Sequence, residues 1–130
     1  MAELRGMVAL VAGWGGWPMA VALARRGARV VLGLREVAGS ARVPGVEVPG
    51  VEVVGLDLAD VGSVRAAAAG FLRGHDRLHL LVLATPAPVG AVLLTNLLLE
   101  TLRASAPARI VTVSGTGTCR RIRVDGAGDG

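Results

Sequence analysis

Met7–Glu36 reads MVALVAGWGGWPMAVALARRGARVVLGLRE, and its punctuation decides the fold. Val8–Val11 is a short apolar run that stops at Gly13, Gly15 and Gly16. Runs of this length bounded by glycine suit a strand buried on both faces. Pro18 follows where the first turn of a helix tolerates a missing N–H. Met19–Arg26 is rich in Ala and Leu and closes at Gly27, a fitting C-cap. Arg29–Leu34, RVVLGL, then reads as a second strand. The segment is strand, glycine turn, helix, strand.

The same alternation continues. Val51–Leu56 is a third strand, Asp60 caps a helix over Val61–Arg73, and Leu78–Ala84 is a fourth strand. Val89–Arg103 is a second long helix, and Ala108–Ser114 a fifth strand. Strands alternating with helices give a parallel sheet with right-handed crossovers. The expected class is α/β, a Rossmann-like doubly wound sheet of about five strands in the order 3-2-1-4-5. Ala38–Gly50 reads as a connector, with VPGVE at Val43–Glu47 repeated at Val48–Glu52. Residues 1–115 form one expected domain, truncated after the fifth strand. Residues 116–130 are rich in Gly and Arg without periodicity and read as a flexible tail.

Composition agrees. The 130 residues are 52% hydrophobic, with mean hydropathy +0.58 and only 2% aromatic, so Val, Leu and Ala must fill the core. Parallel sheets covered on both faces use such cores. All fourteen basic residues are arginine, and net charge is +4. Phosphate-bearing partners suit that charge. Few aromatics stand ready to stack bases, which weighs against nucleic acid. Cys119 is the only cysteine, which excludes an internal disulfide framework and fits a reducing, cytoplasmic compartment. No apolar run reaches membrane-spanning length, so no anchor is visible.

The blocks VALVAG, LARRGARVVLGLRE, VEVVGLDLADVGSVRAAAAGFL, HDRLHLLV, LLTNLLLETLRASAPARIVTVS and CRRIRVD resemble the short-chain dehydrogenase/reductase family, above all its retinol-dehydrogenase-like branch. That resemblance implies a nicotinamide cofactor and hydride transfer on alcohols or carbonyls, with retinoid-like or other apolar substrates. It implies cofactor contacts at Gly13, Gly15 and Gly16, whose amides approach a pyrophosphate at a helix start. It implies a contact from Asp57, with Leu58 beside it, to an adenine ring. Arg35 resembles the basic residue that favours NADP over NAD, and reads equally as a solvated arginine beside Glu36.

Departures from the family pattern are as informative. The glycine turn is about three residues short, carries Ala12 where the family has Thr, and sets Trp14, Trp17 and Pro18 around it. The family's N-N-A-G reads Leu83-Ala84-Thr85-Pro86, its helix asparagine falls near Ala87, and its catalytic serine position is Gly115, after Ser114. The sequence holds no tyrosine and no lysine, so the Tyr-x-x-x-Lys pair is missing and no catalytic residue is assigned. General acid–base help of that kind is worth about two to four powers of ten in rate. Arginine cannot replace it, because it does not deprotonate usefully.

His75 and His79 have the spacing of a helical metal pair but fall in a turn and a strand start, so no metal site is expected. The helix Val89–Arg103 is apolar on most sides, with Val92, Leu93, Leu94, Leu97, Leu98, Leu99 and Leu102, and wants cover beyond its sheet face. Three readings follow: a catalytically incomplete, cofactor-binding relative or fragment; a non-enzymatic module pairing as a homo- or hetero-oligomer through that helix and a sheet edge; or a truncated product with no function of its own.

Overall fold

The computed structural model describes residues 4–13, 16–35, 49–84, 88–113 and 119–126. In chain order the elements are β1 (Val8–Ala12), α1 (Trp17–Arg25), β2 (Arg29–Leu34), β3 (Val51–Gly55), α2 (Val61–Gly74), β4 (Leu80–Leu83), α3 (Pro88–Ala104), β5 (Ala108–Val113) and β6 (Cys119–Val124). They form one six-stranded sheet in the order β3-β2-β1-β4-β5-β6. The first five strands are parallel and follow the doubly wound order expected from the sequence.

β6 is the correction. It runs antiparallel to β5, in register from Ala108↔Val124 to Val113↔Cys119. Residues 119–124 are therefore a strand and not part of a flexible tail. Arg121-Ile122-Arg123-Val124 alternates polar and apolar residues with the two-residue period of a strand, a run too short to stand out in a stretch rich in Gly and Arg.

The two faces are covered differently. One face packs Leu10, Val31, Leu81, Leu83 and Ile110 under α2 and α3. Helix α3 buries Leu94, Leu98 and Leu102, and α2 meets it with Val64, Ala68 and Phe71. Part of the cover that α3 requires thus comes from within the chain. The other face packs Val11, Val30, Leu32, Leu34 and Val82 with α1, whose fully buried residue is Ala20.

Close approaches set the layer spacing. A Cβ on Gly90 would overlap the carbonyl of Leu58, so α3 begins directly against the loop after β3. A Cβ on Gly33 would lie 2.7 Å from Leu56 Cδ2. Leu78 falls outside β4, where its N–H donates to the buried Ser105 Oγ at 2.8 Å. Ser105 in turn donates to the Thr101 carbonyl at 2.7 Å, so the only buried polar side chain among the described residues is satisfied. His79 Nδ1 accepts the Val8 N–H at 3.1 Å, while His75 stacks on Phe71 at 4.7 Å. The two histidines have separate structural partners.

Candidate functional site

The parallel register brings several turns to one edge of the sheet. Ala12 lies beside Gly33 and Leu83, and Leu34 beside Gly55. Gly13, Arg35 and Asp57 therefore leave the sheet together, at the carboxyl ends of β1, β2 and β3. The adjoining β1–β4 boundary is where the order reverses: α1 serves one face and α2 the other. Open α/β sheets bind ligands in the crevice outside such a boundary.

The turn after β1 is shaped by glycine. Gly13 has φ +103°, a left-handed conformation that L side chains rarely adopt. Its N–H donates to the Gly33 carbonyl at 2.9 Å, and the Gly16 N–H donates to the Gly13 carbonyl at 3.1 Å. Both amides are engaged inside the protein, so these glycines contribute shape. Gly16 is buried at the N-cap of α1, and a Cβ there would overlap Val11 Cγ1. The N-cap Gly16 offers no side chain, and none of the described residues caps α1. Pro18 has no N–H, so the first-turn donors are those of Trp17 and Met19. Trp17 is part-buried against the core under α1. Gly15 lies outside the described residues.

Arg35 is exposed at the end of β2, and its guanidinium has no ion-pair partner among the described residues. Asp57 is half-buried and locally engaged. Its Oδ1 accepts the Ala59 N–H at 2.9 Å, and its own N–H donates to Ser63 Oγ at 2.9 Å. Asp60 caps α2 as expected, accepting from Gly62 at 3.0 Å and Ser63 at 3.4 Å. Ser63, which sequence reading passed over, thus ties the Asp57 loop to the cap. Leu58 is buried in the core, and its carbonyl lies against Gly90 at the start of α3. Ala87, Ser114 and Gly115 lie outside the described residues.

A dinucleotide suits this arrangement: a helix start without a side-chain cap, a left-handed glycine preceding it, an exposed cation one strand away and a fixed acidic loop beyond. They stand at the strand ends where a doubly wound sheet places its ligand crevice.

The comparisons narrow that class. No protein-family model matches the chain. It is 39% identical to human dehydrogenase/reductase SDR family member 13, an alignment covering 92% of this chain and 38% of that protein. It is 38% identical to mouse retinol dehydrogenase 11, over 88% of this chain and 45% of that protein. Among solved structures, Brucella melitensis 3-ketoacyl-(acyl-carrier-protein) reductase complexed with NADH superposes with TM-score 0.72 and 26% identity, covering 88% of this chain and 59% of that one. The Pseudomonas aeruginosa RhlG/NADP complex gives TM-score 0.69 and 25% identity, over 85% and 54%. The chain belongs to the short-chain dehydrogenase/reductase family, on its retinol-dehydrogenase-like side. It spans less than half the length of these curated relatives.

Proposed function

We propose that these residues form the cofactor-holding part of an NADP(H)-linked short-chain dehydrogenase/reductase and bind the cofactor without turning over an alcohol or carbonyl. The supporting observation is the shared edge where Gly13, the α1 start, Arg35 and Asp57 converge. Arg35 would meet the 2′-phosphate of NADP, the Trp17 and Met19 amides the pyrophosphate, and the Asp57–Leu58 loop the adenine. The bound nicotinamide supplies or accepts hydride; on an apolar alcohol or carbonyl, the chemistry the family resemblance implies, a proton must also move at the substrate oxygen. No tyrosine or lysine in the 130 residues can carry that proton.

Titration with NADPH, followed by nicotinamide fluorescence, tests the reading. Saturation is expected, with a weaker response to NADH. Arg35→Glu should weaken NADPH binding about tenfold or more, since a lost charge-assisted contact is worth about 1.5–3 kcal/mol, while leaving NADH binding nearly unchanged. An absent NADPH signal at millimolar concentration, or turnover of an alcohol by the isolated chain, overturns it.

A second reading rests on α3. Val89 and Val92 are 74% and 60% exposed on a helix whose opposite side is core. This face suits pairing with a second apolar helix, and concentration-dependent sedimentation would detect it. Among the described residues no helix is long and apolar enough to cross a membrane. We place the module in a reducing, cytoplasmic setting, supported by the single free, exposed Cys119.

A further inference from the structure

The antiparallel strand β6 gathers arginines that are far apart in sequence. Arg109 on β5 lies directly across from Arg123, and Val111 across from Arg121, so all three arginines share one face. Like charges directly opposite one another on a strand pair are unfavourable. Arg123 Nε already holds the carboxylate of Asp125 at 3.1 Å, both side chains mostly exposed, which shows the kind of group this face accepts. Arg109 and Arg121 have no ion-pair partner among the described residues. On the other face, Ile122 is 55% exposed.

β6 is also the outermost described strand of the sheet. Its far edge therefore presents backbone N–H and C=O groups that no described strand pairs. Edges of this kind accept an added strand, with main-chain bonds supplying affinity and alternate side chains supplying specificity. Alternate residues of a strand stand about 7 Å apart on one face. Arg121 and Arg123 have that spacing, and so would carboxylates at alternate positions of an added strand.

We propose that the outer edge of β6 is a docking strand for an extended acidic peptide, whose alternate carboxylates face Arg121 and Arg123 while an apolar residue between them covers Ile122. This edge is separate from the proposed cofactor site at the carboxyl ends of β1 to β3. A single-stranded nucleic acid fits less well, because the described part of this face offers no aromatic ring on which bases could stack.

The test uses a fluorescein-labelled peptide alternating glutamate and valine, an isomer with its glutamates in one block, a mixed-sequence DNA oligonucleotide and phosphatidylserine vesicles. Saturable anisotropy with the alternating peptide is expected, together with slowed hydrogen exchange of β6 amides. Binding should fall at least tenfold in the double variant Arg121→Glu with Arg123→Glu. A thermal melt checks that this variant folds, since a carboxylate at position 123 gains Arg109 as a neighbour and loses Asp125 as a partner. Arg121→Gln with Arg123→Gln, which adds no charge, should show a smaller loss. Four results overturn the proposal: no saturable peptide binding, equal binding of the block isomer, tighter binding of the oligonucleotide or vesicles, or a homodimer dissolved by the same substitutions in place of peptide capture.

Discussion

The β1–β3 half of the sheet and its β5–β6 edge obey opposite rules. In β2 every residue after Arg29 is buried, and glycine recurs where layers or turns come too close for a side chain. In β6 only Val124 is buried, and the strand is held by pairing with β5. One half is specified by apolar burial, the other by backbone pairing and charge. The comparison teaches that a sheet can carry a packed half and a polar edge within one hydrogen-bonded structure. It also says where substitutions should hurt.

The largest effects belong to the packed half. Leu32→Ala removes a fully buried side chain and should cost about 2–5 kcal/mol in urea unfolding, the range for large-to-small core changes. Gly90→Ala should cost on the order of 3 kcal/mol, because the overlap is with backbone that cannot rotate away. If Gly90→Ala proves neutral, α3 does not seat on the Leu58 loop as described. Asp60→Ala removes the side-chain cap of α2 and should cost about 1 kcal/mol. The smallest effect belongs to the edge: Ile122→Ala should fall within about 0.5 kcal/mol, as exposed substitutions do. A loss at Ile122 as large as that at Leu32 would erase the contrast.

Much of the fold could be read in the chain. The Arg29–Leu34 strand was expected with the bounds observed, and Asp60 was expected at the cap it occupies. Both depend on neighbours in sequence: a continuous apolar run in one case, a side chain reaching amides two and three residues on in the other. The placement of the candidate site residues was legible in outline. The positions of Gly13, Arg35 and Asp57 at strand ends follow from alternation and topology. The roles of the Gly13 and Gly16 amides did not follow, because their acceptors are set by the tight turn and by a neighbouring strand. Ser63 and β6 escaped for related reasons: one acts through a backbone amide six residues away, the other through a partner strand.

The sequence by itself determined the parallel core, since apolar period and turn chemistry are local and admit few topologies. Only the tertiary structure decided that residues 119–124 close the sheet as an antiparallel strand and that Arg109 meets Arg123. Strand pairing joins residues distant along the chain, and the short Arg121–Val124 alternation does not by itself say which strand it pairs with.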